Sequence, residues 1–180
     1  MVYFQLKITA NLAGLDNLQP RGGLDDPDHP YFIKLQCENC GEITPSFSCV
    51  MLSEEVLLPR VYGRGTVNLV QKCKLCDRVG TVKMISGFGK PLKHTSGESG
   101  GYVRIMVFEC HGFAPVEFSF GAVWKAQSRE RLWEMDLSKG EFNDFDERVH
   151  VTDLKAKFER MKTFWRYHDR YLYLRSVDGW

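Results

Sequence analysis

Apolar and polar residues alternate along the first twelve positions of the chain. The apolar positions are Val2, Phe4, Leu6, Ile8, Ala10 and Leu12, and the positions between them are Tyr3, Gln5, Lys7, Thr9 and Asn11. A period of two is the repeat of a β-strand, in which successive side chains point to opposite faces. The pattern therefore predicts a strand over residues 2–12 with one buried face.

Shorter stretches rich in β-branched and aromatic residues follow, and they also predict strands. Their bounds are 31–36, 43–51, 67–72 and 80–85, then two strands within 102–124 around a turn at 112–115, and a strand at 154–158. Residues 13–30 and 86–101 are rich in Gly, Pro, Asp or Ser and predict loops. In the first loop, the acidic group around His29 lacks the ligand spacing of a calcium site and is expected to be solvated. No long helical repeat occurs before residue 159, so the predicted fold class is mainly β.

A weak internal repeat divides the chain. "YFIKLQCENCGEITPSF", which begins at Tyr31, and "IMVFECHGFAPVEFSF", which begins at Ile105, share a strand ending near a cysteine, a turn and a second strand. The repeat predicts two related β halves with a sandwich-like or barrel-like form. The predicted division is a zinc-binding half at 1–92, a half without metal ligands at 93–160, and a tail at 161–180.

Composition and charge narrow the class of protein. The hydrophobic content of 43% and the charged content of 26% are those of a soluble globular protein, and the formal net charge is +1. This charge predicts no bulk attraction to nucleic acid or to an acidic membrane. No apolar run is long enough to cross a bilayer, and the first residues do not resemble a signal peptide. We therefore expect the protein in the cytoplasm, with the nucleus as a second location.

Four of the six cysteines form two Cys-x-x-Cys pairs, Cys37 with Cys40 and Cys73 with Cys76. Disulfides are rare in reducing compartments, and two such pairs are typical of a zinc site. Structural zinc takes four tetrahedral ligands, so the two pairs together predict one Zn²⁺ per chain. Basic residues close in sequence would offset the negative charge of the four thiolates: Lys34, Lys72, Lys74 and Arg78.

Other uses of the cysteines are less consistent with the pattern. A redox disulfide normally occurs as one Cys-x-x-Cys motif at the start of a helix, and this chain has two motifs that follow strands. Cys49 and Cys110 lie in apolar runs without a spaced partner, so both are predicted to be core thiols.

Four blocks of this sequence resemble the eukaryotic family of CXXC-motif-containing zinc-binding proteins. They are "DDPDHPYFIKLQCENCGE", "GRGTVNLVQKCKLCDRVGTV", "VFECHGFAPVEF" and "DLSKGEF". The resemblance covers about residues 1–160. It implies an all-β protein of two pseudo-symmetric halves, with zinc held in the first half by Cys37, Cys40, Cys73 and Cys76. It implies no established catalytic activity.

The tail departs from the family pattern, because family members usually end near residue 160. It carries six aromatic residues: Phe164, Trp165, Tyr167, Tyr171, Tyr173 and Trp180. The spacing of its apolar residues is compatible with a short amphipathic helix. The tail is either an extension that the fold does not need or a segment that docks on a partner, since aromatic and Arg side chains are frequent binding anchors.

Two functions remain open from the sequence. The first is a non-enzymatic zinc-stabilised module that binds an unidentified protein partner. The second is a metal-handling protein that exchanges or senses zinc or copper, because thiolates bind soft ions well. We expect no catalytic residues, no cofactor other than zinc, no membrane contact and no nucleic-acid partner. Four thiolates would close the coordination position that a catalytic zinc keeps open.

Overall fold

The computed structural model describes residues 1–60, 63–94, 101–129, 131–146 and 148–162. The strands are β1 (Val2–Ala13), β2 (Asp16–Pro20), β3 (Tyr31–Cys37), β4 (Ser48–Val50), β5 (Val56–Leu57), β6 (Thr66–Val67), β7 (Leu69–Lys72), β8 (Val79–Ile85), β9 (Val103–His111), β10 (Phe113–Ser119), β11 (Trp124–Ser128), β12 (Arg131–Met135), β13 (Phe142–Asp144) and β14 (Val149–Arg160). This confirms the prediction of a mainly β protein. The described residues include no helix with the length and apolar character to cross a membrane. The predicted helix of the tail lies almost entirely outside these residues.

The largest sheet has six strands in the order β13-β14-β1-β9-β8-β7, and its neighbours pair antiparallel. The predicted first strand is β1, between β14 and β9. Leu6 and Ile8 on its apolar face are fully buried in the main core. Tyr3, on the other face, is also buried, because it packs with Val107 in a second small cluster. Tyr3, which the alternation assigned to the polar face, therefore belongs to a second and smaller hydrophobic cluster.

Strands from both predicted halves share these sheets. In the six-stranded sheet, β1 from the first stretch pairs with β9 and β14 from the second. In a three-stranded sheet of order β10-β3-β4, β10 from the second repeat copy pairs with β3 from the first. The division at residue 92 stays a prediction, and in the structure the two stretches interleave through shared hydrogen bonding.

The prediction of a loop over residues 13–30 is wrong for Asp16–Pro20, which form β2. This strand joins a second three-stranded sheet of order β12-β11-β2. Asn17 has a positive φ of 55°, and Pro20 ends the strand, so local sequence preference is poor for β-structure. Pairing with β11 and two backbone hydrogen bonds of 2.9 Å between Leu18 and Leu92 hold the segment extended. Tertiary pairing therefore overrides a local composition typical of loops.

Two other predicted strands are shorter or interrupted. Of the predicted strand at 43–51, only β4 forms, together with an isolated bridge between Ile43 and Gln36. The predicted strand at 67–72 becomes β6 and β7, separated at Asn68. The turn predicted at 112–115 occurs at Gly112, whose φ of 74° suits glycine, and β10 starts at the next residue.

Asn68 interrupts the strands because its buried side chain bonds to three backbone groups. Its amide nitrogen donates to the carbonyl oxygens of Leu52 and Glu54 at 3.3 and 2.9 Å, and its Oδ1 accepts from the Met84 N–H at 2.7 Å. The side chain thereby ties the 52–54 loop to β8.

We expect Asn68→Ala to lower the free energy of unfolding by about 2 to 4 kcal/mol, because it removes three partners of backbone polar groups at a buried position. Chemical denaturation measures the change. The matched control is Asn143→Ala at an exposed position of β13, which should change stability by less than about 0.5 kcal/mol. Equal effects of the two substitutions would contradict the assigned role of Asn68.

The burial of His29 contradicts the expectation that the acidic loop around it is solvated. The side chain is only 2% exposed. Its ring makes edge contacts with Tyr31 and Trp124, at centroid distances of 4.9 and 5.4 Å. Both ring nitrogens lack a hydrogen-bond partner among the described residues, as does the Tyr31 hydroxyl. Burial lowers the pKa of His29 to about 4, although the nearby charge of Asp26 acts in the opposite direction. The loop therefore places a neutral imidazole in the aromatic core.

Candidate metal centre

The first cysteine pair lies in a tight loop at the end of β3. The Cys37 N–H donates to the carbonyl oxygen of Glu42 at 2.8 Å, and the Gly41 N–H donates to the Cys37 carbonyl oxygen at 2.9 Å. The second bond requires a sharp reversal after Cys40, and Gly41 supplies it with a φ of 79°. The loop turns back on itself, so that both sulfur atoms of the pair can face one ion.

The second pair follows β7 and repeats this backbone arrangement. The Cys73 N–H donates to the Arg78 carbonyl oxygen at 2.8 Å, and the Asp77 N–H donates to the Cys73 carbonyl oxygen at 3.1 Å. Asp77 occupies the position of Gly41 and has a φ of 59°. Asp tolerates this region better than most side chains, and an ion pair of 2.7 Å with Lys72 holds its carboxylate. The two loops are therefore matched knuckles of one site.

A corner between β9 and β10 brings the two knuckles together. Gly112 forms this corner, and its carbonyl oxygen accepts a hydrogen bond from the Glu38 N–H of the first knuckle at 3.0 Å. On one side of the corner β10 pairs with β3, with Phe113 opposite Cys37. On the other side β9 pairs with β8, with His111 opposite Thr81. This bridging element comes from the half predicted to lack metal ligands, and no local pattern in the sequence indicates it.

The four sulfur atoms have the spacing of a tetrahedral zinc site. The Sγ atoms of Cys37 and Cys76 are 3.6 Å apart, and those of Cys40 and Cys73 are 3.5 Å apart. All four atoms lie within 4.8 Å of one another. A tetrahedron with Zn–S bonds of about 2.3 Å has edges of about 3.8 Å. The donor set fits one Zn²⁺, which confirms the predicted cofactor.

Hydrogen bonds at the sulfurs favour thiolates. The side-chain amide of Asn39 and the backbone N–H of Arg78 donate to Cys76 and lower the pKa of its thiol to about 6. The backbone N–H of Glu42 also favours the thiolate of Cys40, but desolvation and the neighbouring sulfurs raise the pKa of that thiol to about 12. Ionisation of the Cys40 thiol is therefore favoured by a bound cation, and the affinity of the site for a cation falls as pH decreases. Asn39, between the paired cysteines, is a supporting residue that the sequence analysis did not single out.

The sequence also singled out lysines near the cysteine pairs and two further cysteines, and these residues lie in different surroundings. Lys72 pairs with Asp77 inside the second knuckle, whereas Lys34 pairs with Glu117 of β10 at 3.0 Å. The positive charges of these two lysines are therefore paired with carboxylates, and are not reserved for the thiolates. Cys110 is buried in the main core as predicted, and burial raises the pKa of its thiol. Cys49 is only half-buried, so the prediction of a core thiol holds for it in part.

The site lies at the protein surface. The first cysteine of each pair, Cys37 and Cys73, is buried, whereas Cys76 is half-buried and Cys40 is exposed. Apolar side chains beside the knuckles also face solvent: Ile43, Phe47 and Leu75, with Leu75 67% exposed. We refer to these three residues with Cys40 as the knuckle surface.

Comparison with known proteins agrees with the geometry of the four sulfurs. Residues 5–159 match the family model described as CXXC motif containing zinc binding protein, eukaryotic. A Xenopus laevis protein of the same description is 32% identical over 167 residues, covering 89% of this chain and 99% of the relative. A Homo sapiens protein of that description is 33% identical over 147 residues, covering 80% of this chain and 87% of the relative.

Two solved structures share the fold. The crystal structure of C1orf123 is 30% identical, superposes with a TM-score of 0.76, and covers 88% of this chain and 99% of its own. A hypothetical protein from Plasmodium falciparum has a TM-score of 0.71 at 14% identity, covering 88% of this chain and 100% of its own. At that identity the second likeness shows the fold alone.

Proposed function

Because this chain belongs to the eukaryotic family of CXXC motif containing zinc binding proteins, we propose that it is a non-enzymatic module that binds a protein partner through its knuckle surface. In this proposal the zinc is structural. It shapes the two knuckles and keeps their exposed side chains in place. The module acts in the cytoplasm, with the nucleus as a second compartment, where its thiolates stay reduced.

The composition of the donor set carries this proposal. Four cysteine sulfurs lie within 4.8 Å of one another, so they can fill all four positions of a tetrahedral ion. A catalytic zinc keeps one position for water or substrate, and this donor set offers no such position. In this proposal the bound zinc therefore stabilises the two loops.

The knuckle surface has features of a binding surface. Leu75 lies between the two cysteines of the second knuckle, and Ile43 and Phe47 follow the first. The Lys34 Nζ lies over the Phe47 ring, 5.0 Å from its centre, which is a cation–π contact. Exposed apolar residues held on a rigid frame are typical of partner contacts.

The experiment compares partner capture by wild-type protein and a Phe47→Ser/Leu75→Ser double variant, with captured proteins quantified by mass spectrometry. We expect the variant to lose one specific partner and to keep its zinc. The matched control is Phe145→Ser, since Phe145 is 80% exposed and follows β13, at the sheet edge opposite β7. Identical capture by wild type and double variant would exclude the knuckle surface as the binding site.

A second function, metal handling, is favoured by the exposure of Cys40, because an exposed thiolate is accessible to an acceptor of the metal. Zinc transfer to an excess of a colorimetric chelator separates the two functions. A structural site should release zinc over hours, and a handling site within minutes. Wild-type protein that releases zinc within minutes, at a rate that added Cu(I) does not change, would support zinc exchange rather than copper binding.

A further inference from the structure

The four sulfurs of the metal centre differ in their access to solvent. Cys37 and Cys73 are buried and Cys76 is half-buried, whereas Cys40 is exposed, as are its neighbours on both sides in the loop. At the adjacent Gly41, no atom of the described residues, apart from those of its chain neighbours, lies within 4 Å of the position that a Cβ would take. A small soluble molecule can therefore approach this corner of the site directly from solvent.

The Cys40 sulfur has a sulfur of the other knuckle as a close neighbour. It lies 3.5 Å from the Cys73 Sγ, and Cys37 and Cys76 make the matching contact at 3.6 Å. Both contacts join the two knuckles, and Cys40 and Cys73 are 33 positions apart in sequence. Two sulfurs in a disulfide are about 2.05 Å apart, so a shift of about 1.5 Å brings Cys40 and Cys73 into bonding distance. A disulfide across the site therefore needs only a small movement of the two sulfurs.

Exposure and ionisation together select Cys40 as the point of attack by an oxidant. Thiolates react with peroxides, whereas thiols are poor nucleophiles, and sulfur ligands of a metal are deprotonated. The four sulfurs of the loaded site therefore share the required charge state, and access distinguishes them. The two remaining cysteines differ, because burial raises the pKa of the Cys49 and Cys110 thiols and keeps them protonated.

The reaction that follows balances with a hydroperoxide as the oxidant. The Cys40 thiolate attacks one oxygen of hydrogen peroxide, the O–O bond breaks, and hydroxide leaves while Cys40 becomes a sulfenic acid. The Cys73 thiolate then attacks the Cys40 sulfur, the S–S bond forms, the S–O bond breaks, and a second hydroxide leaves. The two thiolates lose two electrons in total, and these electrons reduce the peroxide to two hydroxide ions.

We propose that Cys40 is a peroxide-oxidation site and that the product is a disulfide between Cys40 and Cys73, which opens the metal centre. Only Cys37 and Cys76 then keep thiolates, and two ligands cannot complete the tetrahedral set. The zinc affinity of the site therefore falls, while the new covalent link keeps the two knuckles together. Cellular thiols reduce such a disulfide, so the change is reversible. The proposal rests on the metal centre and does not depend on partner binding at the knuckle surface.

The first test treats the zinc-loaded full chain with one equivalent of hydrogen peroxide and follows zinc release with a colorimetric chelator. A matched sample without peroxide gives the background rate. Free thiols are then blocked by alkylation, and the disulfides are mapped by mass spectrometry. Cleavage at Lys and Arg separates Cys73 from Cys76, and cleavage at Glu separates Cys37, Cys40 and Cys49.

We expect one zinc to be released for each disulfide formed between Cys40 and Cys73, with Cys49 and Cys110 still free to be alkylated. Reduction with dithiothreitol should restore binding of one zinc per chain. A first disulfide between any other two cysteines, a disulfide with zinc retained, or recovery of Cys40 as a sulfinic acid would each overturn the proposal.

A second test measures access without oxidation. The zinc-loaded chain is treated briefly with iodoacetamide, and the labelling rate of each cysteine is read by mass spectrometry. We expect Cys40 to be labelled at least about tenfold faster than Cys37 and Cys73, because the reactivity of a thiolate depends on its exposure. The matched control is Cys49→Ser, which keeps the four clustered sulfurs and should show the same rates and the same disulfide. Equal labelling of all four sulfurs would contradict the selection of Cys40.

Discussion

Replacing Cys73 by serine is expected to remove the bound zinc and to lower the free energy of unfolding by several kcal/mol. Cys73 is buried at the start of the second knuckle, and its sulfur lies 3.5 Å from that of Cys40. Structural zinc contributes on the order of 10 kcal/mol of folding free energy, and a serine hydroxyl is a poor substitute for a thiolate. Since a typical domain is stable by about 5 to 15 kcal/mol, the loss should unfold the knuckle region. Metal analysis and thermal unfolding measure the two effects.

The matched control is Cys49→Ser, because Cys49 is half-buried in β4 and is not one of the four clustered sulfurs. This variant should keep one zinc per chain and lose no more than about 1 to 2 kcal/mol. A chelator in excess should lower the stability of wild type to that of Cys73→Ser, and should lower the stability of Cys49→Ser by about as much as it lowers that of wild type. A Cys73→Ser protein without zinc that melts as wild type does would show that the metal does not stabilise the fold.

The stability of the protein is expected to fall by up to about 3 kcal/mol as pH decreases from 6.5 to 4, because of His29 alone. Burial lowers the pKa of His29 to about 4 in the folded protein, against about 6.5 in the unfolded chain. Above about pH 7.5 the imidazole is almost entirely neutral in both states and contributes almost no pH dependence. Between pH 6.5 and pH 4 the unfolded chain binds a proton that the folded protein does not, so unfolding becomes easier. At pH 5 the expected loss is about 2 kcal/mol.

The measurement compares denaturation of wild type and His29→Leu from pH 7.5 to pH 4.5 with saturating zinc. Leucine has a similar volume, has no titrating nitrogen and leaves no unpaired buried donor, so stability near pH 7 should change by less than about 1.5 kcal/mol. Protonation of the zinc ligands affects both proteins, and it cancels in the difference between them. The variant should therefore become the more stable protein at low pH. Parallel pH profiles would mean that His29 is not buried as a neutral group.

The chemistry of the zinc site could be predicted from the sequence because it depends on local spacing. Two residues between paired cysteines fix how far apart their sulfurs can lie, and two such pairs complete a tetrahedral donor set. The supporting groups could not be predicted in this way. Asn39 and the corner at Gly112 act through contacts, and the Gly112 corner is far from both knuckles in sequence.

The alternation in residues 2–12 determined β1, since a period of two leaves one apolar face to bury. Local pattern also identified β3, β8, β9 and β14. It did not identify β2, whose extended form depends on pairing with β11, or the hairpin of β11 and β12. Strand propensity is weak compared with the hydrogen bonds and packing that a neighbouring strand supplies.

By itself, the sequence determined the mainly β class and the four cysteines of the zinc site, because both follow from residue types at short, regular spacings. Only the tertiary structure decided which distant segments meet. It placed β1 between two strands of the other half, buried His29 against Trp124, and set the sulfur of Cys40 beside that of Cys73. These contacts depend on how strands pair across long separations in the chain. Local preferences specify which face of a strand is buried, but the neighbouring strand is selected by packing of the whole core.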